Sequence, residues 1–353
     1  MFFLNIIAHY FLPIIYDSFA VLTLVLIFLF IFRIKDPNIR ILFFFLPLIK
    51  PFIIIIERID VNKIYFQYYK SAFGFRLPDP SSIIKFNNGS KLDMVFASNT
   101  DYIIGLVILI AILIFLIIRW TNLALFYKRL AYEDKVGRKE VPDIYKVIDN
   151  FTIKIKFVSP DVSLTHKTYI SPFIVGLRRF TLVLSPKLFD CLSESEKETL
   201  IQHELCHIKR KDNLTGWVAL ILKDLNFFNP FSYMAYYLIR SEQEKACDLL
   251  TVRYSGKSAG NIAEDILNSI LKLKLTMGPN SRLIPAASST FSLGRLFSQK
   301  RLENRVHSIT NTNPDRIYSK IFPKILMFLL FILLLFIQTV VTFKTGNLIF
   351  VLR

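Results

Sequence analysis

Cysteine is scarce in this 353-residue chain: Cys191, Cys206 and Cys247 are all there are. Three is an odd number and too few for the disulfide framework of a secreted scaffold, so the stretch holding them is expected in a reducing compartment. Glycine is also sparse, at 11 residues with no Gly-X-Y period, which excludes a collagen-like chain. Acidic residues are outnumbered, 27 against 44 Lys and Arg, leaving a formal charge of +17. What is abundant is apolar. Hydrophobic residues make up 53% and phenylalanine alone contributes 34, too much for a simple soluble enzyme, while this content and 20% charged residues exclude wholesale disorder. The enrichment in Phe, Ile, Lys, Asn and Tyr is also what an A/T-biased genome produces.

A hydrocarbon layer about 30 Å thick needs roughly 20 apolar residues in helical form. Three runs meet that need, at 11–32, 102–118 and 325–343. A fourth, 41–56, contains Pro47, Lys50 and Pro51 and reads as a kinked span or a re-entrant segment, with the parity of the topology favouring the span. Asp17, near one end of the first run, reads as a carboxylate reaching the aqueous boundary. Cleavage as a signal peptide is not expected, because the first ten residues hold no Lys or Arg. Arg33, Lys35, Arg40, Arg119, Lys128, Arg129, Arg316, Lys320 and Lys324 flank the spans on the side that is cytoplasmic if the N-terminus is outside. The 57–101 loop holds six basic residues against five acidic, so cysteine usage breaks the tie. The expected layout has the N-terminus outside. Residues 1–118 form a membrane region with three transmembrane helices and an extracytoplasmic loop at 57–101. A cytoplasmic segment at 119–324, a fourth transmembrane helix at 325–343 and a short extracytoplasmic tail at 344–353 follow. All three cysteines fall in 119–324, as a cytoplasmic placement requires, and most of the excess positive charge falls there too, facing anionic lipid. No clustering of basic residues with aromatics on one face is visible, so direct nucleic-acid binding is not expected.

Within 119–324, Leu123 to Lys146 reads as an amphipathic helix along the membrane surface. FTIKIKFVS at 151–159 alternates as a half-buried strand does, and 168–176 with 180–185 reads as a hairpin. Helices follow. Ser193 and Glu196 form a capping box that opens one running to about Lys211, Asn229-Pro230 separates a second from a third, and Gly256 ends the third. Residues 258–276 and 293–309 read as two more helices around a small-residue loop at 278–290, which is a candidate for self-cleavage beside its plainer reading as a connector.

The sequence HELCH at 203–207 lies inside the first of these helices. At about 100° per residue, His203 and His207 stand only about 40° apart, so both imidazoles can reach one ion. Glu204 is displaced around the helix, where it can hold water rather than metal. A catalytic zinc commonly takes three protein ligands and keeps a fourth position for water. SEQEKACDLL supplies Glu244 and Asp248 at i and i+4, on a helix that Asn229-Pro230 returns antiparallel. Glu244 is assigned as the third ligand and Asp248 as the acceptor that orients a ligand imidazole. Alone, such a pair would be an ordinary solvated face. Cys206 and Cys247 point off the ligand faces and read as small buried side chains. Arg240, Tyr236 and Tyr237 share the helix of Glu244 but packing explains them equally well, so no oxyanion donor is assigned.

HELCHIKRKDN, NPFSYMAYYLIRSEQEKACD and SPFIVGLRRFTLVLSP together resemble the integral-membrane zinc metallopeptidases of the BlaR/MecR-type antirepressor family. The resemblance covers most of 119–324 and the four-span arrangement. It implies an α-helical membrane protein with an inserted cytoplasmic α+β domain of gluzincin type, with zinc on His203, His207 and Glu244 and with Glu204 as general base. It further implies cleavage of a cytoplasmic protein, such as a transcriptional repressor, in regulated signalling. The β-lactam-sensing members carry a penicillin-binding domain after the fourth span. Here KTGNLIFVLR follows Phe343, so proteolysis is expected without a visible antibiotic-sensing module. The partners expected are the lipid bilayer and that protein substrate, and a homodimer is allowed. Two other readings stay open: a quality-control protease of membrane proteins, and a non-proteolytic signalling scaffold whose structural zinc would draw a fourth ligand from Cys206 or Asp248.

Overall fold

The computed structural model describes residues 12–58, 99–132, 135–165, 172–276 and 298–311, with six further helical positions between 326 and 336. The molecule is mostly helical. Helix α1, Leu12–Ile31, buries a stripe of Val21, Leu22, Val25 and Leu29 and leaves Ile27 and Phe30 exposed on its other side. Asp36 then accepts the Asn38 N–H (2.8 Å) and, with Pro37 at the first helical position, starts α2, Pro37–Phe44. Helix α3, Leu46–Arg58, follows after a break at Phe45.

That break falls inside the run read as a kinked span or a re-entrant segment over 41–56. Pro47 has no N–H to offer the carbonyl one turn earlier, so the run is kinked into helices of 8 and 13 residues. Among the described residues, two helices are long and apolar enough to cross a membrane, over Ile14–Ile31 and Ile110–Arg129. The second belongs to α4, Asn99–Tyr132, whose 34 residues carry the apolar run straight into the charged stretch after it. Most of the fourth expected span, the loop expected at 57–101 except for its ends, and the 278–290 loop lie outside the described residues.

The expected helix over Leu123–Lys146 is interrupted. Helix α4 ends at Tyr132, strand β1 occupies Lys135–Val136, and α5 spans Pro142–Ile155. The strand expected at 151–159 does not form: residues 151–155 end α5 and 156–159 follow as a turn and irregular chain. Tyr145, Ile148, Phe151, Thr152 and Ile155 are buried at helical spacing, whereas Ile153 and Lys154 face out. Over six residues, β-branched side chains alternating with lysine fit either period, and burial against the rest of the domain selects the helix.

Strands β2 (Asp161–Leu164), β3 (Phe173–Val175) and β4 (Thr181–Leu184) complete a four-stranded sheet in the order β1-β2-β4-β3. β2 and β4 run parallel, while β3 and β4 form the expected hairpin, with Ile174 opposite Leu182. Gly176 closes its turn at φ 103°, where a Cβ would stand 1.9 Å from the Arg179 carbonyl oxygen, so only glycine fits. A short helix α6, Pro186–Phe189, leads into α7, Glu194–Arg210. Then come α8 (Asp212–Leu225), α9 (Pro230–Ser255), α10 (Ala259–Thr276) and α11 (Ser298–Asn311).

One core joins α5, the sheet and α7 through Ile148, Phe151, Leu182, Leu184, Ile201 and Leu205. The opposite face of the sheet, at Phe173, Val175 and Val183, receives Phe126 and Tyr127 from the end of α4. A second core joins α1, α2 and α3 to α8 and α9, with Val25, Phe43, Phe44 and Leu48 against Leu220, Tyr236 and Ile239. Polar ties reinforce it: the Asn229 side chain donates to Ser18 Oγ (2.7 Å), and Asn226 donates to the Leu48 carbonyl (3.2 Å).

Candidate active site

Helix α7 begins where the capping box places it. Ser193 N–H donates to Glu196 Oε2 (2.8 Å) and the Glu196 N–H donates to Ser193 Oγ (3.3 Å), so two N–H groups at the start of α7 find acceptors. It ends at Lys211, which takes the left-handed conformation (φ 57°) and starts α8 at once. The tight turn brings Asp212 back over the last turn of α7. Helix α9 starts at Asn229, whose side chain accepts the Phe231 N–H (3.1 Å), and stops at Gly256 (φ 84°). These are the boundaries the sequence predicts, and they set α9 against α7.

Packing of α9 on α7 brings three metal-ligating side chains together. Glu244 Oε2 lies 3.4 Å from His203 Nε2 and Glu244 Oε1 lies 3.7 Å from His207 Nε2. One ligand atom from each residue falls within 4.8 Å of the others, a span that one ion can bridge. The imidazole rings stand edge to face with centroids 5.0 Å apart. Each ring turns its other nitrogen to an aspartate: His203 Nδ1 is 3.0 Å from Asp248 Oδ1, and His207 Nδ1 is 2.9 Å from Asp212 Oδ2. With each Nδ1 facing an aspartate, Nε2 is the nitrogen left to face the centre.

Both aspartates are themselves gripped. Arg305 on α11 holds Asp248 with two bonds (2.8 and 2.7 Å) and places Nη1 3.4 Å from Glu244 Oε2. Arg210 Nε donates to Asp212 Oδ2 (3.0 Å). The Cys247 thiol also reaches Asp212 (3.3 Å) and lies 3.2 Å from His207 Nδ1. Two contacts tie this cluster to the first connector: Arg210 Nη1 bonds Asn38 Oδ1, and Arg40 pairs with Glu242 (3.0 Å), two residues before Glu244.

The electrostatics follow from burial offset by partners. Burial alone would lower the affinity of His203 for a proton, but Asp248 and Glu244 override it and push the group up to about 10 in the metal-free protein. Burial would raise Glu244, yet His203 and Arg305 hold it well below the ordinary carboxylate range. Asp248 is likewise lowered against its burial, chiefly by Arg305. Glu204 differs. Its burial pushes it up, and the pull of the two imidazoles does not cancel that. A carboxyl whose affinity for a proton is raised beside two imidazoles has the character of a proton acceptor.

The cluster fits a divalent cation. Asp212, Glu244 and Asp248 are all held below their ordinary carboxylate values around the two imidazoles, which concentrates anionic oxygen at the site. Two imidazoles and one carboxylate are also a donor set that catalytic zinc uses. Cys206 lies instead against Thr251 (3.6 Å), and burial pushes its thiol up to about 12. The Cys247 thiol is raised as well by burial and by Asp212. Neither has the thiolate character of a nucleophile at neutral pH. Among the described residues, a further metal-capable group is His207, Asp212 and Cys247, which shares His207 with the first.

The structure therefore assembles all five residues singled out by the sequence: His203, Glu204, His207, Glu244 and Asp248. It adds Asp212, Arg210 and Arg305. Asp212 is within reach of sequence reading, since IKRKD places an aspartate five residues after His207, just beyond the helix end. Arg305 has no local signal. Arg240, one turn before Glu244, spends one donor on Gln243 Oε1 (2.8 Å).

Residues 40–292 match the family described as BlaR1 peptidase M56. The chain is 27% identical over 96 residues to the methicillin resistance MecR1 protein of Staphylococcus aureus, covering 27% of this chain and 16% of that protein. It is 29% identical over 141 residues to the regulatory protein BlaR1 of Bacillus licheniformis, covering 40% and 22% respectively. It is 24% identical over 159 residues to a protease HtpX homolog of Bacteroides fragilis, covering 44% and 46%. Each match spans less than half of the relative's length. The family match encloses α7, α8 and α9 with every residue of the cluster except Arg305 and Asn38, and on that ground the chain belongs to the BlaR1 peptidase M56 family.

Proposed function

We propose that this protein is a membrane-embedded, zinc-dependent endopeptidase that hydrolyses peptide bonds of a cytoplasmic protein. The observation that carries the reading is the meeting of His203, His207 and Glu244 from two helices, each imidazole backed by an aspartate at 2.9–3.0 Å. His203, His207 and Glu244 are the metal ligands in this reading. Bound there, zinc supplies Lewis acidity to water and to the scissile carbonyl. Glu204 orients the attacking water, accepts its proton and delivers that proton to the departing amine. Asp248 and Asp212 hold the imidazoles in one tautomer, with Nδ1–H donating and Nε2 turned inward.

β3 is the edge strand of the sheet, and Asn213, beside Asp212, donates to the carbonyl of Gly176, which follows that strand (2.8 Å). That bond ties the end of β3 to the start of α8. A substrate segment in extended form would add to that edge, with backbone hydrogen bonds giving affinity.

Four spans with the N-terminus outside and the peptidase segment in the cytoplasm are the topology of this reading. Two apolar helices and the flanking Lys and Arg residues support it. The substrate in this reading is a repressor or similar regulatory protein, in keeping with relatives named for regulation and for methicillin resistance. A second reading is broader proteolysis of membrane proteins, favoured by a relative named simply as a protease.

Glu204→Gln in the full-length protein, with zinc content and cleavage measured together, tests the proposal. Zinc is expected at one per chain with cleavage lost. Undiminished cleavage of a defined substrate would remove Glu204 from its role, and absence of bound metal from the unaltered protein would sink the reading. Proteins trapped by the inactive variant distinguish a single regulator from a broad set of membrane clients.

A further inference from the structure

Arg305 lies outside the family match and 57 residues beyond the aspartate that it holds. Its helix, α11, is docked on α9 and α10 through Ile309 and Val306, which pack with Ile262 and Ile266. That docking carries one guanidinium into the metal cluster. Nε and Nη2 meet the two oxygens of Asp248 at 2.8 and 2.7 Å, while Nη1 is 3.4 Å from Glu244 Oε2. A two-pronged grip fixes the plane of a carboxylate as well as its place. The plane matters here, because Asp248 Oδ1 must face His203 Nδ1, at 3.0 Å. Asp248 is fully buried, so water cannot stand in for the guanidinium.

We propose that Arg305 is a positioning residue of the metal centre: it sets the plane of Asp248 and the side chain of Glu244, and the ligand set is complete only while α11 is docked. It orients two groups and touches neither substrate nor metal. Lysine cannot replace it fully, since an ammonium is a point charge that grips one oxygen at a time. The inference rests on the metallopeptidase reading above and extends it to a helix that the family match leaves out.

The test compares full-length wild type, Arg305→Ala, Arg305→Lys and Asn304→Ala in detergent micelles. Zinc affinity is read by competition with a chelator, and ligand geometry by the visible absorption of the cobalt(II) form. Arg305→Ala is expected to bind zinc about 10–100-fold more weakly, in the range for removing a partner of a ligand. Its cobalt bands should shift, a signature that a general loss of packing would not produce. Arg305→Lys should fall between alanine and wild type, and the exposed Asn304→Ala should match wild type. If Arg305→Ala does not fold, Arg305→Lys decides. Wild-type zinc affinity and an unchanged cobalt spectrum in the folded Arg305 variant overturn this inference alone. A wild-type protein that binds no metal overturns the metallopeptidase reading, and this inference with it.

Discussion

The two imidazoles of the site are supported in the same way from very different distances along the chain. His207 leans on Asp212, five residues on, which is held by Arg210 from the same turn. His203 leans on Asp248 from another helix, which is held by Arg305 from a third. The first support is built within the α7–α8 turn around Lys211, with Asn38 of α2 and Cys247 of α9 adding contacts to it. The second exists only when α7, α9 and α11 have assembled. One half of the metal centre is therefore a local structure and the other a tertiary one, and only the second reports on whether the domain is complete.

The largest expected effect does not distinguish the halves but sets the scale for both. Glu244→Ala removes the carboxylate shared by the two imidazoles and should reduce bound zinc to background in elemental analysis, with cleavage lost. Below that, Asp248→Asn should weaken zinc binding roughly 100-fold and Asp212→Asn roughly tenfold, the two ends of the usual range for such partners. Equal or reversed losses would break the comparison. Acidity should sharpen it. In the metal-free protein His203 is pushed up to about 10 by Asp248 and Glu244 acting against burial, so zinc must displace a proton there at neutral pH. Zinc affinity should rise as pH rises through neutrality, with proton release in calorimetry, and Asp248→Asn should reduce the proton count. Cys247→Ala removes a thiol that reaches Asp212 (3.3 Å) and His207 Nδ1 (3.2 Å) from α9, and should weaken zinc binding less than Asp212→Asn does.

The smallest effect concerns the helix under both halves. Ser193→Ala should cost about 1 kcal/mol in thermal unfolding without moving zinc affinity. Burial would raise Glu196, but Lys272 and the capping bonds hold it below its ordinary value. The resulting stabilisation is full above the unfolded carboxyl range and fades as pH falls through the lowered folded value, a loss that Glu196→Gln should abolish.

Elements whose signals are short in range are legible in the amino-acid sequence alone. The capping box at Ser193 and Glu196, the Asn229-Pro230 start of α9 and the Gly256 stop each need only three or four neighbouring residues. HELCH with a downstream Glu244 and Asp248 is legible because helical periodicity alone aligns them. The end of α5 is not, since FTIKIK satisfies both periods and only Ile148 and Phe151 beneath it decide. The kink at Pro47 is legible too, but the packing of α2 and α3 on α9 depends on side chains roughly two hundred residues away, a separation across which no local pattern carries. Arg305 escapes for the same reason.

The shared core of α1, α2 and α3 with α8 and α9 carries a practical consequence. Phe43, Phe44 and Leu48 are to Leu220, Tyr236 and Ile239 what the two halves of a zip are to each other. A soluble fragment begun at residue 119 would bare that seam and strip Asn226, Asn229 and Glu242 of their partners across it. Such a fragment should clump rather than cut: in this molecule, anchor and blade are one piece.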